Sequence, residues 1–180
     1  MKKLLIGLIA LVALALGAAY IKNRNLAISN ALTNPESLKE QLTTQVERTF
    51  GIIKPDAVKA FHAGQIITAI ELNKFSIVGM KKTVLTKEQA QKFYEEHKER
   101  PFYNDLVSYM TTGPVILLAL EKHNAIQDWR DLIGTTDPAQ ARIGTLRFMF
   151  GTSKSSNGLH GSDSVESAQR ELTFFFPELQ

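Results

Sequence analysis

The chain has 180 residues, of which 44% are hydrophobic and 22% charged, and its formal net charge is +3. That length suffices for one globular domain with a short appendage, and the mild positive charge suits phosphate-bearing ligands but falls far short of a nucleic-acid-coating protein. The chain has no cysteine, which excludes disulfides, thiolate metal sites, cysteine nucleophiles and lipid attachment to a cysteine.

The N-terminal segment differs from the rest of the chain. A pair of lysines precedes an apolar run over residues 4–21, and Lys22 and Arg24 follow it. This pattern is typical of a secretory signal or a signal anchor, and about 20 apolar residues are needed to span a bilayer. We interpret residues 1–22 as an anchor that keeps the protein at a membrane. The alternative is a signal peptide, cleaved near residues 17–19, and an exported domain. Because positive residues flank both ends, the side on which the domain lies stays open.

The next residues, 23–45, are polar and predict a linker to a domain over residues 46–180. Inside the domain, alternating and helical patterns predict four strands and five helices. In chain order these are a strand at 49–53, a helix at 61–73, a strand at 75–85, helices at 86–97 and 102–110, a strand at 114–120, a helix at 124–133, a short strand at 159–161 and a helix at 163–175. The Gly- and Ser-rich stretch at 139–158 is longer than a connection needs and predicts a functional loop.

This order of elements predicts the fold class. It fits an α+β, ferredoxin-like sandwich, in which helices cover one face of a four-stranded antiparallel sheet. The N-terminal hydrophobic helix is expected to lie outside this domain. The pattern by itself identifies no activity.

The stretch Asn157-Gly158-Leu159-His160-Gly161-Ser162-Asp163-Ser164 is the first that points to chemistry. The two glycines leave the backbone beside His160 open to a substrate, and a neutral imidazole is a good nucleophile near neutral pH. A lone histidine is more often a surface or packed residue, so this stretch alone leaves both interpretations open.

The same stretch resembles the active-site signature of nucleoside diphosphate kinases, and the resemblance spans roughly residues 47–176. Further matching blocks are Thr49-Phe50-Gly51-Ile52-Ile53-Lys54-Pro55-Asp56-Ala57-Val58, Tyr94-Glu95-Glu96-His97-Lys98-Glu99-Arg100-Pro101-Phe102, Met110-Thr111-Thr112-Gly113-Pro114-Val115, Arg130-x-Leu132-x-Gly134-x-Thr136-Asp137-Pro138 and Gly144-Thr145-Leu146-Arg147. Their spacing is similar to that of the family, without insertion or deletion.

The resemblance implies a ping-pong phosphotransfer. A nucleoside triphosphate, typically ATP, gives its γ-phosphoryl group to His160, and the phosphohistidine passes it to a nucleoside diphosphate. Glu171 would orient His160, with Tyr94 and Ser162 close to the phosphorylated nitrogen. The implied nucleotide contacts are Lys54 to the γ-phosphate and ribose, Phe102 to the base by stacking, Arg130 and Arg147 to terminal phosphates, Thr136 to phosphate, and Asn157 to the ribose 3′ hydroxyl.

Several of these residues also allow an interpretation without any role in catalysis or binding. Without the family, Lys54 reads as a solvated turn lysine and Glu171 as a solvated helix charge. Phe102 reads as core packing, and Arg130 and Arg147 as surface arginines. The alternative for the whole protein is a membrane-tethered nucleotide-binding or scaffold module without turnover, which predicts losses among the matched residues that the sequence does not have.

Cofactor and partners follow from the same comparison of motifs. The sequence has no G-x-x-x-x-G-K-[ST] loop, and its histidines are not at metal-ligand spacing. We therefore expect Mg²⁺ to arrive on the nucleotide phosphates, with no metal ligands from the protein. The expected partners are nucleoside tri- and diphosphates, the membrane through residues 4–21, and further copies of the chain in a homo-oligomer, tetramer or hexamer. No nucleic acid is expected.

Phe148-Met149-Phe150 departs from the family pattern, which often has a small or charged pair there.

Overall fold

The structure, a computed structural model, describes residues 46–179. The anchor predicted for residues 1–22 and the linker predicted for residues 23–45 lie outside the described residues, so both stay predictions. Within residues 46–179, no helix is long and apolar enough to cross a membrane.

Four strands and seven α-helices make up the described part of the chain. The strands are β1 (Val46–Ile53), β2 (Ser76–Val84), β3 (Pro114–His123) and β4 (Leu159–Gly161). The helices are α1 (Pro55–Lys59), α2 (Ala63–Leu72), α3 (Lys87–Phe93), α4 (Tyr103–Met110), α5 (Ala125–Ile133), α6 (Leu146–Phe150) and α7 (Val165–Phe175). Short 3₁₀ turns cover Glu95–His97, Pro138–Gln140 and Pro177–Leu179.

Local sequence signals explain where several helices begin. The Thr86 hydroxyl accepts a hydrogen bond from the Gln89 amide at 3.1 Å, and the Gln89 side-chain oxygen accepts one from the Thr86 amide at 2.9 Å. Helix α3 therefore begins with a capping box, for which Thr86-x-x-Gln89 is the sequence signature. Ser164 caps α7 by accepting from the Ser167 amide at 3.1 Å. Both caps satisfy amides that a helix start otherwise leaves without partners.

The four strands form one antiparallel sheet in the order β2-β3-β1-β4. β1 begins at Val46, three residues before the predicted start, because its polar first residues pair with the end of β3. There the Arg48 Nε donates to the Glu121 carboxylate at 2.8 Å across the two strands. A hydrophobic pattern cannot detect a strand segment that is held by such polar pairs.

Helices cover both faces of the sheet, so the expectation of one covered face was wrong. Alternate β3 residues belong to two separate hydrophobic clusters, with Leu117 in one and Leu118 in the other. The first cluster packs the sheet against α3, α4 and α7, and the second packs it against α2 and α5. Both clusters together explain why the middle of β3 is apolar at every position, since a strand covered on two faces has no solvated side.

The stretch at 139–158 is more structured than the predicted loop. It contains the end of a 3₁₀ turn and the helix α6, whose Leu146 is fully buried. The apolar residues of α6 fix this segment to the domain. The prediction of a loop missed them because it was based on the Gly and Ser content of the whole stretch. The segment then passes from α6 to β4, which is the strand that carries His160.

Candidate active site

A cavity of about 790 Å³ opens beside the C-terminal end of β1 and along β4. Nine of the ten residues singled out from the sequence line it, namely Lys54, Tyr94, Phe102, Arg130, Thr136, Arg147, Asn157, His160 and Glu171. The tenth, Ser162, is buried and reaches the site through a hydrogen bond to Glu171. The fold thus gathers residues that are up to 117 positions apart in the chain, from Lys54 to Glu171.

His160 is held by one carboxylate. Its Nε2 lies 3.1 Å from Glu171 Oε2, and the Ser162 hydroxyl donates to the same oxygen at 2.7 Å. Glu171 is only 3% exposed, so it is no solvated helix charge. An ionised carboxylate can only accept a hydrogen bond, so His160 Nε2 carries the proton and donates it, which leaves Nδ1 with a free lone pair.

Tyr94 stands edge-on to the His160 ring, with centroids 6.3 Å apart. Its hydroxyl is buried and has no hydrogen-bond partner among the described residues. Burial first, and then the Glu171 carboxylate, raise the pKa of Tyr94, against a smaller opposing effect of Arg147. The hydroxyl therefore stays protonated and has a free donor at the wall of the cavity.

Among the basic side chains that line the cavity, three were singled out from the sequence. Arg130 is exposed, whereas Arg147 and Lys54 are buried to 9% and 7% exposure. The Arg147 guanidinium donates to the Gly134 carbonyl at 2.7 Å and to the Leu159 carbonyl at 2.9 Å. Burial, followed by the neighbouring charge of Arg130, lowers the pKa of Arg147 to about 10, so it remains charged at neutral pH.

The Lys54 ammonium group is the most perturbed of the three. Its Nζ donates to Asn157 Oδ1 at 2.8 Å. Burial is the largest cause that lowers its pKa to about 7, the positive charge of Arg147 lowers it further, and the Asp56 carboxylate acts in the opposite direction. Lys54 is thus a buried cation that lacks a full counter-charge, which an anionic ligand in the cavity would supply.

Asn157 links several segments that surround the cavity. Its side-chain amide donates to the Thr136 carbonyl at 3.2 Å and to the Lys154 carbonyl at 3.1 Å, while its oxygen accepts from Lys54. Thr136 itself is exposed to the cavity. Phe102 is 45% exposed at the cavity wall, so its ring is available to a ligand and is not core packing.

Comparisons with known proteins identify the family of this chain. The nucleoside diphosphate kinase family model matches residues 47–180. The chain is 55% identical to the nucleoside diphosphate kinase of Geotalea uraniireducens over 135 residues, which cover 75% of this chain and 98% of the relative. It is 53% identical to that of Nitratiruptor sp., over 74% of this chain and 97% of the relative.

The chain belongs to the nucleoside diphosphate kinase family.

Solved structures of nucleoside diphosphate kinases share this fold. The Aquifex aeolicus enzyme superposes with a TM-score of 0.73 at 43% identity, covering 75% of this chain and 98% of that one. The Encephalitozoon cuniculi enzyme superposes with a TM-score of 0.71 at 34% identity, covering 72% of this chain and 88% of that one. Family membership makes this chain a nucleoside diphosphate kinase, an enzyme that transfers phosphoryl groups between nucleotides.

Two further residues of this nucleoside diphosphate kinase contact the site, and sequence reasoning did not single them out. The Trp129 indole donates to the His160 carbonyl at 3.2 Å and packs on Gly161, where an added Cβ would lie 2.7 Å from the ring. Asp56 accepts a hydrogen bond from the Gly158 amide at 3.0 Å. Trp129 is the single tryptophan of the chain, and this was the one sequence feature that set it apart. Its contacts with His160 and Gly161 depend on tertiary structure, which the sequence does not show.

The acidic and histidine residues of this nucleoside diphosphate kinase form no group of three that could hold a metal ion, as far as residues 46–179 are concerned. Glu171, the most buried carboxylate of the cavity, is already engaged by His160 and Ser162. Phe148 and Met149, which depart from the family pattern, are 46% and 48% exposed on α6.

Proposed function

We propose that the enzyme works by a ping-pong mechanism through a phosphohistidine at His160. The observation that supports this most directly is the hydrogen bond between His160 Nε2 and the buried Glu171 carboxylate, at 3.1 Å. It fixes the proton on Nε2 and leaves Nδ1 as the nucleophile. His97 also lines the cavity, but its Nε2 lies 3.9 Å from the nearest oxygen of Glu96, so it has no such hydrogen bond to a buried carboxylate.

In the first half-reaction, the Nδ1 lone pair attacks the γ-phosphorus of a nucleoside triphosphate, typically ATP. The bond from that phosphorus to the β–γ bridging oxygen breaks, and its electron pair leaves with the nucleoside diphosphate. The ring becomes a phosphorylated imidazolium, and the Glu171 carboxylate stabilises the positive charge at Nε2. In the second half-reaction, a terminal oxygen of another nucleoside diphosphate attacks the phosphorus, and the nitrogen–phosphorus electron pair returns to Nδ1.

The negative charge on the transferred group requires nearby cations and donors, because phosphoryl transfer is catalysed chiefly by positioning and electrostatic stabilisation. Lys54, Arg130 and Arg147 would supply the cations, and the free Tyr94 hydroxyl would supply a neutral donor. Thr136 would add a hydroxyl donor to phosphate. Mg²⁺ would enter bound to the nucleotide phosphates as part of the substrate, and neutralises part of their charge.

The sugar and base would bind toward the open end of the cavity. Phe102 presents a half-exposed ring for stacking, and stacking accepts every base because each has a π-face. Asn157 would contact the ribose 3′ hydroxyl through its oxygen, which still has a second lone pair beside the bond from Lys54. Ser162 would act through Glu171, since its hydroxyl donates to that carboxylate.

Location and assembly are further proposals. The apolar run over residues 4–21 would tether the enzyme to a membrane, and the domain would assemble with copies of itself as a tetramer or hexamer. The tether rests on the sequence pattern, and the assembly on family membership.

Phosphoryl uptake from labelled ATP and Mg²⁺ tests the mechanism on the full chain. We expect an acid-labile, base-stable label that a nucleoside diphosphate removes, and no label on His160→Ala. The matched control is His123→Ala, which removes an exposed histidine at the end of β3 and should label like the wild type. If folded wild-type protein takes up no label, or if His160→Ala takes it up equally, the phosphohistidine mechanism is wrong.

A further inference from the structure

The turn that follows β1 and the backbone that precedes His160 are joined by three hydrogen bonds. The Lys54 amide donates to the Gly158 carbonyl at 2.8 Å, and Asp56 Oδ2 accepts from the Gly158 amide at 3.0 Å. The third is the 2.8 Å bond from the Lys54 ammonium to Asn157 Oδ1. Both backbone polar groups of Gly158 are therefore taken by this turn, only two residues before His160.

Gly158 cannot easily be replaced at this junction. Its φ is +78°, a conformation that residues with a side chain rarely adopt. A glycine backbone in this region has many accessible conformations, so it keeps one geometry only where other groups hold it. The Lys54 amide and the Asp56 carboxylate are the groups that do so here.

Asp56 is the acidic member of this junction. Its second oxygen accepts from the Ala57 amide at 2.8 Å, so both carboxylate oxygens are used. The Tyr109 hydroxyl lies beside it without a full hydrogen bond among the described residues. Burial, and then Asp56, raise the pKa of Tyr109, so this neighbour stays protonated and neutral.

We propose that Asp56 is a positioning residue for phosphoryl transfer, which holds the Lys54 ammonium and the backbone leading to His160 at one fixed spacing. This inference rests on the phosphotransfer function proposed above. Asp56 touches no reacting atom; it acts through Lys54 and Gly158. Its carboxylate has a geometric effect through hydrogen bonds and an electrostatic effect through its charge.

The electrostatic effect gives Asp56 a signature that a purely structural residue lacks. The charged groups acting on Lys54 are Arg147, which lowers its pKa, and Asp56, which raises it. Arg130 acts in turn on Arg147, Glu171 acts on Tyr94, and the tyrosine hydroxyls stay neutral. Removing the charge of Asp56 should therefore lower the pH at which Lys54 loses its proton.

Asp56→Asn tests this, because the amide keeps the size of the side chain and one acceptor oxygen while removing the charge. We compare the pH profiles of kcat/KM for ATP of the full-length wild type and variant between pH 6 and 9, because in a ping-pong reaction this constant reports the ionisation of the unphosphorylated enzyme. The alkaline fall in kcat/KM should move down by about one pH unit, a typical effect of losing one nearby opposite charge. At pH 8 this corresponds to a loss of about tenfold.

The matched control is Asp131→Asn, which removes the same charge from an exposed helix residue bonded only to Gln127. Its profile should coincide with that of the wild type. In a Lys54→Arg background, Asp56→Asn should leave the position of the alkaline limb unchanged, because arginine does not titrate in this range.

Asp56→Glu separates geometry from charge. It keeps the charge but adds a methylene, so we expect an unchanged alkaline limb and a kcat lowered by at least about tenfold, since small displacements at the reacting centre are costly. Thermal unfolding confirms that each variant is folded. If Asp56→Asn does not fold, the kcat of Asp56→Glu alone tests the inference.

The results separate two failures. An alkaline limb of folded Asp56→Asn that superimposes on the wild-type limb contradicts the inference, and so does a wild-type kcat in Asp56→Glu. A wild-type chain that transfers no phosphoryl group overturns the proposed function instead.

Discussion

Raising the pH from 7 to 9 should weaken the binding of ADP through one side chain. Lys54 is 7% exposed, and burial together with Arg147 lowers its pKa to about 7, although Asp56 partly opposes this. Above pH 7 the free enzyme therefore holds a neutral lysine where the phosphates bind. A bound diphosphate restores the charge, so the enzyme takes up a proton when ADP binds, and the affinity falls as the pH rises.

The magnitude follows from the same pKa of about 7. If the bound lysine is fully protonated, ADP binding takes up about 0.5 proton at pH 7 and about 0.9 at pH 8. The affinity then falls about fiftyfold between pH 7 and pH 9. The phosphates contribute little to this change, because they are ionised over most of the range. The pKa of Arg147, about 10, leaves its guanidinium charged up to pH 9.

Isothermal titration calorimetry with Mg²⁺ and ADP measures both quantities. Repeating the titration in buffers of different ionisation enthalpy gives the number of protons taken up, and ADP cannot phosphorylate His160 during the experiment. Lys54→Arg is the control, because arginine keeps its charge and should make ADP affinity nearly independent of pH. A wild-type affinity that is constant from pH 7 to 9, with no proton uptake, would refute this account of Lys54.

Four further predictions concern other parts of the molecule. Glu171→Gln should slow phosphorylation of His160 by tenfold to a hundredfold in rapid-quench assays, because a hydrogen bond to a charged group contributes about 1.5–3 kcal/mol; wild-type rates would contradict the role of the carboxylate. Phe102→Ala should weaken ADP and GDP binding alike by about 1–3 kcal/mol in titrations, and a loss for one base only would exclude simple stacking. Gly161→Ala should lower the free energy of unfolding by about 1–3 kcal/mol in urea, because the Cβ would overlap the buried Trp129 ring; equal stability would show that the ring moves aside. The full chain should stay in the membrane fraction after alkaline carbonate extraction, whereas a chain without residues 4–21 should be released. Release of the full chain would exclude an anchor.

The sequence predicted those parts of the fold that depend on local signals. The Thr86-x-x-Gln89 capping box starts α3 as expected, and the apolar residues at 115–120 form the middle of a buried strand. The number of covered sheet faces was predicted wrongly, although the run at 115–120 is apolar at every position, which is the pattern of a strand covered on both faces. The structure shows the second layer, because Leu117 and Leu118 belong to different clusters.

The site was predicted by residue type but not by arrangement. Nine of the ten residues line one cavity, yet the sequence did not indicate that Asn157 bonds Lys54 and two backbone carbonyls. The contacts of Asp56 and Trp129 were missed for the same reason, since each joins segments far apart in the chain. Such contacts depend on the packing of several elements, and no local pattern encodes them.

The short strand that carries His160 also lies at an edge of the sheet, and edges are sites where a second chain can add a strand. β4 has only three residues, and the Arg147 guanidinium occupies the Leu159 carbonyl. A very short edge and a charged side chain are two means by which proteins prevent such pairing. Arg147 therefore protects the edge as well as lining the cavity, so variants that lack it should be more prone to aggregate as well as less active.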